Sequence, residues 1–191
     1  MSSLDSSTRK VVFLDRDGVL NIDLGYTFKI KDLVLVDGVV EGLRKLQDAG
    51  YQFIVVTNQS GVARGMYTLS DVETFHQELT HKIQTIDPKI SILEFKTCPH
   101  LVGAEVAEFA IDCECRKPKT KLVLDAVAKY NIDVNKSWMI GDKAGDIECA
   151  IRSNLRAIQV TQGGKQYAHH SSPFAKCKNL KEAADIILSN S

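Results

Sequence analysis

Asp15 and Asp17 stand two residues apart directly after the run Lys10 to Leu14, in the segment Asp15-Arg16-Asp17-Gly18-Val19-Leu20-Asn21. A carboxylate at the end of a buried strand is costly unless a partner or a metal compensates it. Such a pair suits phosphoryl transfer. Asp15 can attack phosphorus as a nucleophile, and Asp17 can protonate the leaving oxygen and later deprotonate water. An Asp-rich turn after a strand is common in any fold, so the pair needs company. It has company in Thr57-Asn58-Gln59-Ser60-Gly61, Arg116-Lys117-Pro118 and Gly141-Asp142-Lys143-Ala144-Gly145-Asp146, each following or adjoining a β-branched apolar run. In an open parallel sheet, ligands bind at the carboxyl ends of the strands.

Asp142 and Asp146 are spaced to lie one turn apart at the start of a helix. Helix capping accounts for either one singly, not for four aspartates at two strand ends. Hard carboxylate oxygens facing Asp15 suit an octahedral Mg²⁺ bridging to phosphate. Thr57 can offer its hydroxyl, and Asn58 its amide, to non-bridging phosphate oxygens. Lys117 precedes Pro118 and is expected in extended geometry just before a helix N-terminus, where free N–H groups already favour anions. Arg116, Lys143 and Arg64 are candidates for a second anionic group on the substrate. Taken one at a time, each basic residue reads more readily as a solvated surface charge than as a substrate contact; the case rests on their joint placement.

Three of the five cysteines crowd together as Cys98-Pro99-His100, twelve intervening residues, then Cys113-Glu114-Cys115. Paired thiolate and imidazole knuckles match a closed tetrahedral Zn²⁺ site with no open position for catalysis, and ligand softness favours zinc over magnesium there. Its role would be to stitch an irregular loop and so position Arg116 and Lys117 beside it. Cys149 and Cys177 stand apart and read as plain helix or loop residues, and His76, His81, His169 and His170 as surface residues.

The elements that must hold these groups alternate along the chain. Strands are expected over Lys10 to Leu14, Phe53 to Val56, Ile90 to Phe95, Trp138 to Ile140 and Ala157 to Val160. Residues 21 to 36 read as a loop with a short hairpin over Leu33 to Val36. A helical stripe runs from an Asp37 N-cap through Val39, Val40, Leu43, Leu46 and Ala49 to Gly50. Ser70 with Glu73 forms a capping box for a helix carrying Val72, Phe75, Leu79 and Ile83. A helix with Pro118 in its first turn runs to about Tyr130, with Asn131 as its stop; two more span Ile147 to Ser153 and Leu180 to Leu188. Strands alternating with helices predict an α/β fold, a Rossmann-like three-layer sandwich with a mostly parallel sheet and right-handed crossovers.

A chain of 191 residues with 44% hydrophobic and 25% charged residues is expected to form one globular domain over 10–191, with residues 1–9 as a disordered tail and a zinc-bound loop at 98–115. Balanced charge, 24 basic against 24 acidic residues, argues against a broad nucleic-acid surface. The apolar runs are too short to span a bilayer, and the polar start Met1 to Lys10 has no secretory pattern. With the clustered cysteines, this predicts a reduced, cytoplasmic enzyme acting on a small molecule, with no nucleic-acid or membrane partner.

In this order the four segments resemble the haloacid dehalogenase superfamily of Mg²⁺-dependent, aspartate-nucleophile phosphatases. More narrowly, Val11 to about Val160 resembles the D-glycero-D-manno-heptose-1,7-bisphosphate 7-phosphatases, which share a subfamily with the phosphatase domain of histidinol-phosphatases. The resemblance lies in Asp15 to Asn21, in Thr57-Asn58-Gln59-Ser60-Gly61-Val62-Ala63-Arg64-Gly65, in the Cys/His knuckles and in Cys115-Arg116-Lys117-Pro118. It implies no large cap domain, a monomer, Asp15 as nucleophile and Asp17 as acid/base. It further implies Mg²⁺ on the Asp15 carboxylate, the Asp17 backbone carbonyl and Asp142, with Asp146 in support. Thr57 and Lys117 would stabilise the transferring group. Asp23, Leu24, Gly25 and Tyr26, the stretch Thr57 to Ser60, Arg116 and Lys143 would contact substrate, and Cys98, His100, Cys113 and Cys115 would hold structural zinc. Two departures stand out: Val19 where Thr is frequent, and Asn154 where a glycine usually ends the helix. The activity implied is removal of the 7-phosphate of a heptose bisphosphate through an aspartyl phosphate. The alternatives are histidinol-phosphate hydrolysis and, from another class, a zinc-knuckle nucleic-acid module.

Overall fold

A computed structural model of the chain describes residues 8–162 and 172–191. Most of the expected tail, with His169 and His170, lies outside those residues. Arg9 belongs to the fold, because its N–H donates to Asn131 O at 3.0 Å and it bridges Ile132.

From the amino end the elements are β1 (Val11–Leu14), α1 (Val39–Asp48), β2 (Gln52–Asn58), α2 (Leu69–Ile86) and β3 (Ile92–Cys98). Then follow α3 (Lys121–Tyr130), β4 (Trp138–Gly141), α4 (Ala144–Arg152), β5 (Arg156–Val160), β6 (Ala175–Cys177) and α5 (Leu180–Leu188). The six strands form one sheet in the order β3-β2-β1-β4-β5-β6, every neighbouring pair parallel. The chain builds outward from β1 to β3 and then returns to place β4 on the other side of β1. The β1/β4 junction is therefore the topological switch point, where such sheets open a crevice.

Both faces of the sheet are covered, which is why its central strands are apolar without interruption. Val12, Leu14, Val55 and Ile140 point into one core with side chains of α1, α2 and α5; Val11, Phe13, Ile54 and Met139 point into a second with α3 and α4. The period of two sorts consecutive residues to opposite layers. Among the described residues no helix is long and apolar enough to cross a membrane.

Several local expectations shift. Helix α1 is entered from Gly38 in a left-handed conformation (φ 82°), not from an Asp37 cap. The capping box of α2 lies two residues earlier than Ser70/Glu73: Thr68 Oγ1 accepts from Asp71 N at 3.1 Å, and Asp71 accepts from Thr68 N at 2.7 Å. Helix α3 starts at Lys121, so Pro118 lies in the preceding turn and Lys117 is not at a helix N-terminus. In place of a hairpin at Leu33 to Val36 there is a 3-10 turn, Ile30–Asp32, and a single antiparallel bridge from Asn21 to Leu35. Strand β6, which includes Cys177, is three residues long and carries a lysine, too little pattern to read. Asn131 and Asn154 take the left-handed conformations expected of helix stops, at φ 51° and 58°.

Candidate active site

The site grows from β1 and β4. Asp15 leaves β1 with its N–H donating to Ile140 O of β4 at 2.9 Å, so the loops following the two strands start side by side. Between them lies Lys117, whose Nζ donates to Asp15 Oδ1 at 2.8 Å and to Val56 O at 2.6 Å and pairs with Asp146 Oδ1 at 2.6 Å. Three donors thus meet three acceptors. Burial opposes the ammonium charge, yet the Asp146 and Asp15 carboxylates together hold its proton more tightly than in an ordinary lysine. Asp146 also caps α4, its Oδ2 accepting from Lys143 N at 3.0 Å; burial raises its pKa against the pull of Lys117.

Asp142 is different. Both of its carboxylate oxygens are buried without a hydrogen-bond partner among the described residues. Burial first, and then the Asp15 charge, push its pKa up to about 8. Gly18 makes room for it: at φ 91° it bends the chain, and a Cβ there would lie 2.4 Å from Asp142 Oδ2. Oxygens of Asp15, Asp142 and Asp146 lie within 4.8 Å of one another. Crowded carboxylates with orphaned oxygens fit a hard divalent cation, which would supply the missing contacts.

Asp17 lies outside that cluster and is held by donors. Arg16 Nη2 reaches its Oδ1 and Oδ2 at 3.0 and 2.9 Å, Asn21 Nδ2 its Oδ1 at 2.9 Å, and Gln59 Nε2 its Oδ2 at 2.7 Å. Arg16 is fully buried; it lies over the Phe75 ring and donates to Thr27 O at 2.7 Å. Its other neighbour is His76, expected at the surface but buried and stacked on Phe95, with centroids 4.3 Å apart. Burial and the Arg16 charge lower the His76 pKa to about 3, so the ring is neutral.

A cleft of about 380 Å³ opens above these groups, lined by Asp17, Asp23, Gly25, Tyr26, Asn58, Gln59, Ser60, Tyr67, Arg116 and Lys143. Its size suits a small ligand. Asp23 and Lys143 pair across it at 2.9 Å. Burial opposes the Lys143 charge, but Asp15, Asp142 and Asp23 raise its pKa.

Three expected contacts differ from their sequence reading. Asn58 holds only part of its amide free, because it clasps the Lys117 backbone: Nδ2 donates to Lys117 O and Oδ1 accepts from Lys117 N, each at 3.1 Å, which leaves the second Nδ2 hydrogen. Leu24 is exposed and lies off the cleft lining. Arg64 is also off the lining, its guanidinium 5.8 Å from the centroid of the Tyr26 ring. The cleft also includes Tyr67, which sequence reasoning missed; its hydroxyl donates to Gln59 Oε1 at 2.8 Å.

Cys98, His100, Cys113 and Cys115 converge on one point, with sulfur separations of 3.1, 3.3 and 3.6 Å and His100 Nδ1 3.2 Å from Cys115 Sγ. A tetrahedron of Zn–S bonds of about 2.3 Å has edges of roughly 3.7 Å, close to these spacings and far above a disulfide bond. Arg116 leaves this cluster with Nη1 donating to His100 O at 3.2 Å.

Residues 114–183 match the HAD-hydrolase-like family model. The chain is 37% identical over 154 residues, 81% of both chains, to a Yersinia pestis D-glycero-beta-D-manno-heptose-1,7-bisphosphate 7-phosphatase. It is 39% identical over 180 residues, 93% of this chain and 96% of the other, to the alpha-named enzyme of Photorhabdus laumondii. The crystal structure of a B. bronchiseptica D,D-heptose 1,7-bisphosphate phosphatase complexed with magnesium and phosphate superposes with a TM-score of 0.81 at 23% identity, covering 95% of this chain and 99% of that one. That likeness concerns the fold, whereas the sequence matches extend along most of both chains. On that ground the chain belongs to the D-glycero-D-manno-heptose-1,7-bisphosphate 7-phosphatase family of HAD-like hydrolases.

Proposed function

We infer that the protein is a phosphoric monoester hydrolase that removes the 7-phosphate from D-glycero-D-manno-heptose 1,7-bisphosphate, in nucleotide-activated heptose biosynthesis. The observation that carries this reading is the meeting of Asp15, Lys117 and the Asp142/Asp146 pair at the switch point, beneath a cleft lined by Arg116 and Lys143. Two cations in the lining suit a substrate that keeps a second phosphate while the first is transferred.

In the proposed mechanism a carboxylate oxygen of Asp15 attacks phosphorus, and the bond from phosphorus to the sugar O7 breaks. Asp17 gives its proton to O7, so the sugar departs as an alcohol. Asp17, now ionised, takes a proton from water as that water attacks the aspartyl phosphate; inorganic phosphate leaves and Asp15 is regenerated. Lys117 and the Thr57 hydroxyl neutralise charge on the phosphoryl oxygens, from positions fixed before substrate arrives. Mg²⁺, when bound by the Asp15 and Asp142 carboxylates and the Asp17 carbonyl, with Asp146 supporting, supplies further charge neutralisation. Zn²⁺ on Cys98, His100, Cys113 and Cys115 is assigned a structural role, and its dependence on free thiols agrees with a reducing cytoplasmic setting. The enzyme is proposed to act as a monomer on a free sugar bisphosphate.

The test is Mg²⁺-dependent phosphate release from both anomers of heptose 1,7-bisphosphate, with histidinol phosphate at equal concentration. The expected result is at least a hundredfold preference in kcat/KM for a heptose bisphosphate, about 2.7 kcal/mol in the transition state. Comparable slow turnover of all three would overturn the substrate assignment.

A further inference from the structure

We propose that Tyr67 is a positioning residue for the proton-transfer step, acting on Asp17 through the side-chain amide of Gln59. The inference rests on the phosphatase reading above and adds a residue outside the four motifs that carry it.

Gln59 is buried, and its three side-chain hydrogen bonds go to Asp17, Thr57 and Tyr67. Its Nε2 donates to Asp17 Oδ2 at 2.7 Å and to Thr57 Oγ1 at 2.8 Å, while its Oε1 accepts from the Tyr67 hydroxyl at 2.8 Å. The amide has two orientations related by a half-turn; the one observed turns its NH₂ group to Asp17 Oδ2 and Thr57 Oγ1, and its carbonyl, facing away, needs a donor. Tyr67 is that donor. Burial pushes its phenol up to about 12, so the proton stays on the oxygen across the working pH range. With the amide fixed, Thr57 Oγ1 receives a hydrogen bond and keeps its own proton to offer elsewhere.

The ring itself is held firmly. Tyr67 stacks on Phe28 with centroids 4.7 Å apart, which ties it to the loop after β1. On its other side Gly61 approaches so closely that a Cβ there would lie 2.1 Å from Tyr67 Cε1. A rigid phenol therefore sets the direction of an amide, and the amide shares one oxygen of Asp17 with Arg16, while Arg16 and Asn21 hold the other.

This arrangement makes a specific claim about leaving groups. A sugar alkoxide needs the Asp17 proton as the phosphorus–oxygen bond breaks. A 4-nitrophenoxide departs as a stable anion and needs little or none. The experiment is kcat/KM, which reports the first phosphoryl transfer, for wild type and Tyr67→Phe on heptose 1,7-bisphosphate and on 4-nitrophenyl phosphate. Losing one hydrogen bond and orphaning the buried Gln59 oxygen should lower the bisphosphate value roughly five- to tenfold, with a loss on the aryl phosphate at least threefold smaller. Gln59→Met should lower the bisphosphate value further, and adding Tyr67→Phe to it should cost nothing more, because both act through one path.

Equal losses on the two substrates, no loss on the bisphosphate, or losses that multiply in the double variant would each overturn the proposal. A wild-type enzyme inactive on heptose bisphosphate would instead sink the substrate reading. In that case an alkyl phosphate it does hydrolyse takes the bisphosphate's place, and the leaving-group comparison still decides the role of Tyr67.

Discussion

Replacing Lys117 by methionine removes one ammonium and leaves three acceptors without their donor: Asp15 Oδ1, Asp146 Oδ1 and Val56 O. Both carboxylates are buried, with side chains only 7% and 3% exposed, so water cannot replace the lost contacts. Breaking a buried ion pair from one side costs about 3–5 kcal/mol, because the remaining charge stays desolvated. For a chain of this size that corresponds to a fall in Tm on the order of 10 °C. The sign with pH follows from the direction of the shift. The Lys117 pKa is raised in the fold, so its stabilisation is complete below the unfolded value of about 10.4 and is lost as pH rises through the folded one. Between pH 6 and 9 the gap between wild type and Lys117→Met is therefore constant as far as the lysine is concerned. On the acid side it narrows as Asp146, whose burial already favours its proton, is neutralised. The assay is urea unfolding at 25 °C across pH 4 to 9 without added metal, beside phosphate release with Mg²⁺. Activity should fall by at least a hundredfold, the usual cost of losing one preorganised donor to a transferring group. A stability loss below about 1 kcal/mol at pH 7, or a gap that widens on acidification, would refute the pairing.

Two further outcomes follow from the site. Asp15→Asn should abolish turnover and leave the zinc content unchanged, since the cysteine cluster shares no ligand with β1; full activity would rule out an aspartyl phosphate. Cys113→Ser should lower zinc content and reduce kcat/KM by up to roughly 100-fold, the scale of an ångström-level misplacement, because Arg116 is anchored on the His100 carbonyl. Unchanged metal content and kinetics would refute the structural role of the cluster.

What could be read from the chain was what is local. Asp15, Asp17, Asp142 and Asp146 each lie within six residues of an apolar strand, so strand, turn and carboxylate form one pattern in sequence. The Cys/His knuckles are legible for the same reason, since spacing alone restricts what they can bind. Arg16 and His76 were not legible: their contact spans 60 residues, and His76 sits on α2 at a position that becomes buried only when Phe95 of β3 stacks against it. Tyr67 was hidden likewise, because its meaning depends on which way an amide eight residues away is turned. Asn58 carries a role its position does not announce. Its residue type and place after a strand favour a phosphate contact, but one N–H and the carbonyl of its amide are engaged by the backbone of Lys117. Sequence indicates which groups a strand end can present, and tertiary contacts decide which of them remain free.

That clasp changes how the lysine works. Nζ of Lys117 is placed by three acceptors, but its backbone is placed from β2, by Asn58, and from the cysteine cluster two residues before it. The end of β2 is itself joined to β3 where Gln59 N donates to Cys98 O at 2.7 Å, and Cys98 belongs to that same cluster. Lys117 and the Cys/His cluster therefore share one backbone frame rather than facing each other across a flexible loop. The segment between Cys98 and Lys117 has little regular structure, and hydrogen bonds of its own would not hold a buried ammonium to the tolerance that electrostatic catalysis requires. Holding it costs few residues: Cys98, His100, Cys113 and Cys115 gather its two ends together, and one asparagine clasps Lys117 itself. A phosphatase without a large cap domain has little else with which to fix its cation. The irregular loop beside the site is thus the part of the chain on which the stability of the charged centre depends.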